Sequence, residues 1–286
     1  MRVALGQLDM VWEDKEASLK KAERMIQEAA KACCDLIVFP EMSFTGYSMN
    51  VEKIGEAPQD SYTKDCIRTF ARKYEIAIGF GYAIACEEGE SRGKNGFAII
   101  DKEGMQIAEY AKLHPFTYGG EANAYRPGDE IVTVPFMGRR LGLFICYDLR
   151  FPEIFHIAAR EADILICIAN WPAIRSVHWK TLLRARAIET QSYVIGVNCV
   201  GERDNTCYSG DSMAVDSIGN ILGEISNREG ILVCDLDDRA WNLRKKFATA
   251  ADRREVFYSS YFAGKREISS AGNSIDKDGK VGYKQR

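Results

Sequence analysis

Cys146 closes the apolar run Leu141-Gly142-Leu143-Phe144-Ile145 and is followed at once by Tyr147-Asp148-Leu149-Arg150-Phe151-Pro152-Glu153. A buried strand that runs into a charged, proline-containing turn delivers its last residue to the carboxyl edge of a sheet, where open α/β folds keep their sites. A thiol there is a candidate nucleophile; the plain alternative is a cysteine that packs as a small hydrophobe. Two further strand ends carry charge. Phe39-Pro40-Glu41 sets a carboxylate directly beyond an apolar run, and Tyr110-Ala111-Lys112-Leu113-His114-Pro115-Phe116 sets an amine among apolar and aromatic neighbours. A charge so placed is costly unless paired or hydrogen-bonded. Taken singly, Glu41 also reads as a surface carboxylate after a proline turn, and Lys112 as a solvated amine.

The elements that must position these groups follow from hydrophobic periodicity. Strands are expected over residues 3–8, 35–39, 76–84, 96–101, 131–136, 141–146, 163–169, 193–200, 212–216 and 230–236. Helices are expected over 13–34, with Leu19, Ala22, Met25, Ile26, Ala29 and Cys33 at helical spacing, and over 60–74, 153–161 and 177–190. Early helices alternate with continuous apolar strands, whereas the strands at 76–84 and 96–101 are joined by a connection too short for a helical crossover. The fold class is therefore α/β with mixed sheets, and two sheets packed face to face, each covered by helices, accommodate that many strands. Residues 1–266 read as one domain and the polar stretch 267–286 as a tail.

Composition excludes several function classes. With 38 Lys and Arg scattered among 41 Asp and Glu, the net charge is −3, so no electrostatic footprint for nucleic acid or an anionic membrane is expected. No run approaches a membrane span, and the first residues turn polar too early for a secretory segment, so a cytoplasmic protein is expected. Nine cysteines, an odd number without C-x-x-C spacing, read as free thiols, neither a disulfide frame nor a zinc site. Only three histidines occur, His114, His156 and His178, with no i, i+4 pair, so no metal is expected.

Taken together, Phe-Pro-Glu with Gly46-Tyr47 downstream, Lys112-Leu113-His114, and Cys146-Tyr147-Asp148-Leu149-Arg150-Phe151-Pro152-Glu153 resemble the nitrilase (carbon–nitrogen hydrolase) superfamily, in the family's order along the chain. The resemblance runs from Val3 to about Tyr261. It implies an αββα sandwich that pairs into a four-layer αββα–αββα homodimer, and a triad with Glu41 as base, Lys112 as electrostatic partner and Cys146 as nucleophile. Glu121, in Tyr118-Gly119-Gly120-Glu121, matches the second glutamate that many members place beside the triad. The stretch Asn170-Trp171-Pro172-Ala173-Ile174-Arg175-Ser176-Val177-His178-Trp179 looks like that of the ω-amidase branch, which cleaves the terminal amide of short dicarboxylic monoamides such as 2-oxoglutaramate. Nitrilases proper usually carry Cys-Trp-Glu where this chain has Cys-Tyr-Asp, which favours an amide over a nitrile. Glu189-Thr190-Gln191 departs from the expected Glu-Asn-Gln, which puts a contact at that helix end in question.

The implied reaction uses no metal and no organic cofactor. Glu41 takes the thiol proton and Lys112 raises the thiolate fraction. The Lys112 ammonium and the Tyr147 backbone N–H stabilise the oxyanion. Ammonia leaves, and a thioester on Cys146 is hydrolysed. Trp171 is a candidate pocket wall, Arg175 and Arg150 are candidates for a substrate carboxylate, and His178 is a candidate substrate contact beside a packing role. For Arg150, pairing with Glu153 or Glu189 is the expected arrangement, and His156 is expected to be structural. The partner is thus a small-molecule amide. The competing readings are another amidase branch (carbamoyl amino acid, aliphatic amide or deaminated glutathione), a Cys–His hydrolase, and a catalytically silent scaffold.

Overall fold

The computed structural model describes residues 1–203 and 205–270. β1 (Arg2–Gln7) leads into α1 (Lys15–Lys31), whose amino end is closed by the Asp14 carboxylate accepting from Ala17 N at 3.0 Å. β2 (Leu36–Val38) returns parallel to β1. Past α2 (Val51–Ile54) comes α3 (Tyr62–Tyr74), capped by the Ser61 hydroxyl accepting from Lys64 N. β3 (Ala77–Ile84) runs parallel to β2, and β4 (Lys94–Ile100) and β5 (Gln106–Ala111) follow as antiparallel neighbours.

The chain then crosses to a second sheet. α4 (Glu121–Ala124) and β6 (Thr133–Phe136) precede β7 (Arg139–Ile145), α5 (Pro152–Ala158), β8 (Ile164–Ala169), α6 (Ser176–Thr190) and β9 (Tyr193–Asn198), the central three strands being parallel. β10 (Val200–Arg203), β11 (Thr206–Val215) and β12 (Ile221–Ser226) are antiparallel additions, and β13 (Gly230–Asp235) returns to pair with β1 before α7 (Arg239–Lys246). The first sheet has the order β13-β1-β2-β3-β4-β5, and the second β10-β11-β9-β8-β7-β6 with β12 on β11.

Side chains on alternate faces of these strands define the layers. Val3, Leu5, Val38, Phe97, Leu143, Ile145, Ile166 and Val197, drawn from both sheets, form one buried cluster between them. Ala4, Ile37, Ile78 and Phe80 on the opposite face pack with Leu19 and Ile26 of α1 and Ile67 of α3. Phe144, Leu165, Cys167 and Val194 pack with Phe155 of α5 and Trp179 and Leu183 of α6. Strands buried on both faces read as unbroken apolar runs, which is why their periodicity is weak and their existence plain. The result is the expected αββα sandwich with two mixed sheets.

Several elements escape the periodicity. β5 carries exposed Gln106 and half-exposed Glu109, β12 carries exposed Glu224, and α7 is largely polar. The run at 193–200 is two strands, because the Asn198 carboxamide turns inward at their junction. At the end of α6 the Thr190 hydroxyl donates to Arg186 O at 2.6 Å, and Arg244 caps the Thr190 carbonyl at 3.0 Å. The described chain forms a compact unit Met1–Ala248 and a second unit from Thr249 that contains α8 (Glu255–Ser270). Residues 267–270 of the expected tail thus end α8, and 271–286 lie outside the described residues.

Candidate active site

Each chemical group sits where a strand stops. Beyond β2, Phe39 N still donates to Gly79 O at 2.8 Å, but Pro40 cannot donate, and the chain leaves the ladder at Glu41. Gly81 of β3 lets that turn lie flat on the sheet: a Cβ there would stand 2.4 Å from Met42 N and 2.8 Å from the Glu41 Cα. Ser43 locks it, donating N–H to Gly81 O and accepting Gly81 N, each at 2.9 Å. Lys112 follows β5 directly, its N–H donated to Asn95 O at 2.9 Å. Cys146 is the first residue of a short 3-10 turn, Cys146–Arg150, and has a φ of 48°. A side chain in that left-handed region costs roughly 1–2 kcal/mol. The sharp turn holds the residue at the sheet edge, where it is partly exposed while its thiol points into a desolvated site.

The expected triad members Glu41 and Lys112 meet, and Glu121 joins them. Lys112 Nζ lies 2.8 Å from Glu41 Oε1 and 2.8 and 3.0 Å from the two Glu121 oxygens, and all three side chains are buried. Glu41 Oε2 accepts the Asn170 backbone N–H at 2.8 Å. Glu121 also accepts from Tyr47 Oη at 2.9 Å and Phe116 N at 2.6 Å. Asn95 Nδ2 reaches Glu41 and Glu121 at 2.7 and 2.9 Å. Tyr47 and Asn170 lie in stretches that carry the resemblance but are not expected in the site, and Asn95 escapes a sequence reading altogether, because an isolated amide leaves no periodic trace.

The electrostatics follow from one ammonium between two carboxylates. Burial opposes the Lys112 charge, but Glu41 and Glu121 together outweigh it and hold the amine well above its ordinary range. Burial would raise Glu121, yet Lys112, Asn95 and Phe116 bring it below the usual carboxylate range. Burial and the Glu41 charge push the Cys146 thiol well up, against the pull of Lys112. Lys112 thus pulls toward the thiolate, the direction expected of it, but its charge is already met by two carboxylates and burial outweighs it. Cys146 therefore rests as a thiol within the field of the Glu41 carboxylate.

Cys146 opens onto a cavity of about 260 Å³ whose walls include Tyr47, Phe116, Tyr147, Trp171, Arg150 and Arg175. Trp171 is fixed by its N–H to Asn198 Oδ1 at 2.7 Å and its indole to Arg175 O at 2.8 Å. Arg150 does not take up the expected acid. Its guanidinium lies 4.8 Å from the Trp171 ring centroid, with Nη2 3.3 Å from His178 Nδ1, while Glu189 accepts from Arg186 at 2.7 Å. Arg175 lies over Phe116 at 5.6 Å. Among the described residues neither arginine forms an ion pair. His178 therefore reaches the cavity only through Arg150. His156 lies 3.9 Å from Glu189, and His114 stacks on Phe151 at 3.8 Å, so the histidines are engaged away from a Cys–His arrangement.

Residues 2–245 match the family model for carbon-nitrogen hydrolases. The chain is 36% identical over 225 residues to Omega-amidase YafV of Yersinia enterocolitica, covering 78% of this chain and 84% of that protein. It is 32% identical to a 2-oxoglutaramate amidase of Bacillus subtilis, over 88% and 97% of the two chains. Among solved structures, XC1258 from Xanthomonas campestris, a CN-hydrolase superfamily protein with an arsenic adduct in its active site, superposes with a TM-score of 0.82 at 30% identity, over 88% and 97% of the chains. A mutant of the Nesterenkonia AN1 amidase from the nitrilase superfamily gives 0.82 at 25% identity, over 91% and 97%.

Proposed function

The chain belongs to the carbon–nitrogen hydrolase family and acts on amides, and from that premise we propose that it hydrolyses the terminal amide of a short dicarboxylic monoamide, 2-oxoglutaramate or a near analogue. The observation that carries the substrate class is the pair of guanidiniums, Arg150 and Arg175, on the wall of the cavity that Cys146 opens onto, without a carboxylate partner among the described residues. Arg presents a fork that matches a carboxylate, and aromatic faces keep the fork oriented. An acid at the far end of the substrate supplies the missing anion.

Glu41 takes the Cys146 proton as sulfur attacks the amide carbon. The Lys112 ammonium and the Tyr147 backbone N–H stabilise the oxyanion, a single such donor being worth on the order of 10²–10³ in rate. Glu41 returns the proton to the leaving nitrogen, ammonia departs, and a thioester remains on Cys146. Glu41 then activates water and the acid is released; such proton transfer contributes roughly 10²–10⁴. Glu121, kept ionised, holds the Lys112 charge in place. A reducing, cytoplasmic setting suits a chemistry that depends on a free thiol. A homodimer is part of the proposal: Ile157 of α5 and Val177 and Ile188 of α6 are apolar and exposed, a cost that a second copy would relieve.

Ammonia release from 2-oxoglutaramate, succinamate, a carbamoyl amino acid, an aliphatic amide and deaminated glutathione tests the substrate, with Cys146→Ala alongside. Release from the first two, lost in the variant, is expected. Release from a neutral aliphatic amide alone would remove the carboxylate from the reading, and sedimentation as a monomer would remove the dimer.

A further inference from the structure

Asn95 enters the site as the cross-strand partner of Lys112, and its side chain is buried. Its Nδ2 stands 2.7 Å from Glu41 Oε1 and 2.9 Å from Glu121 Oε1, the same two oxygens that Lys112 Nζ meets at 2.8 and 3.0 Å. Two carboxylates are thus joined by two bridges, one charged and one neutral. A carboxamide nitrogen carries two hydrogens, and both are committed here. Its other end is not satisfied: Asn95 Oδ1 is buried without a hydrogen-bond partner. An orphaned buried acceptor costs about 1–3 kcal/mol, so what an asparagine contributes here lies in its N–H groups.

Those groups make the two oxygens of Glu41 unequal. Oε1 accepts from both Lys112 and Asn95, whereas among the described residues Oε2 accepts only the Asn170 N–H at 2.8 Å. Adjacent carboxylates also tend to share one proton unless each is held ionised by donors. We propose that Asn95 is a positioning residue of this site: by bridging Glu41 Oε1 to Glu121 it keeps both carboxylates ionised and leaves Glu41 Oε2 as the oxygen that receives the Cys146 proton. The inference rests on Glu41 acting as the base, and not on the identity of the amide.

The groups around Glu41 leave a clear window in which to see this. Lys112, Cys146, Tyr47, Tyr125, Tyr208, Cys167 and Cys199 all face its charge, and every one of them is held above its ordinary range. None of them therefore changes charge between pH 4 and neutrality, so they do not obscure the Glu41–Glu121 pair. Loss of the Asn95 donors makes that pair take up a proton more readily, and the base is lost at a higher pH.

The test compares the pH dependence of Cys146 alkylation by iodoacetamide, and of kcat/KM where turnover is measurable, in the parent, Asn95→Leu and the isosteric Asn95→Asp, with unfolding followed in parallel. In both variants the acid limb is expected to move up by about one pH unit, with alkylation slowed roughly tenfold on the acid side of the parent's limb and KM little changed. A uniform fall in rate with the acid limb unmoved would overturn the proposal, as would failure of both variants to fold, which would make Asn95 purely structural. Because alkylation needs no substrate, a wrong amide would silence turnover and leave this readout intact.

Discussion

His114 is tied to Asp148 twice, its backbone N–H at 3.0 Å and its imidazole Nδ1 at 2.8 Å from the same carboxylate oxygen. The other oxygen of Asp148 accepts Ile145 N at 3.0 Å and Tyr110 Oη at 2.7 Å. One fully buried carboxylate thereby joins the turn that carries Cys146 to the strand end that carries Lys112, across the interface between the two sheets.

Asp148→Ala would strand several buried donors at once, each costing about 1–3 kcal/mol when left unpaired. Urea unfolding is expected to show a loss of about 3 kcal/mol or more, with amide hydrolysis falling at temperatures where the variant is still folded. A variant as stable and as active as the parent would show that the two strand ends are aligned by something else.

Gly81 offers a way to displace Glu41, the proposed base, without touching it. Alanine there would place a methyl carbon 2.4 Å from Met42 N and 2.8 Å from the Glu41 Cα, both backbone atoms that cannot rotate aside. The turn must lift, moving Glu41 from Lys112 and Asn170. Overpacking of this kind costs typically 1–3 kcal/mol, and an error of about 1 Å at a catalytic group costs roughly 10²-fold in rate. The expectation for Gly81→Ala is a kcat lowered by about that factor with the fold retained by circular dichroism. Unchanged kcat would mean that the turn adapts elsewhere.

How far the chain discloses this arrangement depends on what each residue leaves in the local pattern. Glu41, Lys112 and Cys146 stand out because each interrupts an apolar stretch with a group that burial penalises. Asn95 is concealed by its neighbours: Lys94-Asn95-Gly96 reads as the turn before a strand beginning at Gly96, whereas β4 begins at Lys94 and carries the carboxamide into the site. The layers could be reasoned from continuous apolar strands, but β5 and β12 have polar, exposed or half-exposed positions that blur them. Arg150 shows the limit of proximity in sequence. Glu153 is three residues away and Glu189 is on α6, yet Arg186 takes Glu189 from its own helix and leaves Arg150 to the Trp171 face.

The buried thiols make stability depend on alkaline pH. Burial raises Cys34 and Cys234 each to about 11 and Cys199 to about 12, and lifts Cys146 and Cys167 well above their ordinary range. A thiol raised in the folded state ionises first in the unfolded chain, near pH 9, so its contribution is complete below that pH and is lost as pH rises toward the folded value. Each such group adds a slope of up to about 1.4 kcal/mol per pH unit. Lys112, raised as well, adds to the loss above pH 10.5, where its unfolded counterpart begins to deprotonate. Unfolding free energy is expected to be nearly level from pH 6 to 8 and to fall steeply above 9. Glu121 has the opposite sign, its contribution present above its ordinary range near 4.5 and lost as pH drops below it. Urea titrations at half-unit intervals decide this; a level curve through pH 10 would mean the thiols ionise inside the fold.

The two pocket arginines separate binding from chemistry. A hydrogen-bonded pair with a charged group is worth about 1.5–3 kcal/mol, so removing a guanidinium that holds the far carboxylate raises KM by roughly 10- to 100-fold. Because that contact is the same in the ground state and the transition state, kcat should change little. Arg150→Met and Arg175→Met are expected to behave in this way toward 2-oxoglutaramate while leaving KM for a neutral amide of similar length near the parent value. Arg150→Lys keeps the charge but gives up the planar stack 4.8 Å above Trp171, and an intermediate KM is expected. Should both methionine variants bind the acid as the parent does, the anion is held elsewhere. Should only Arg175 matter, Arg150 serves Trp171 and His178 as a wall brace, and the carboxylate lies toward Phe116.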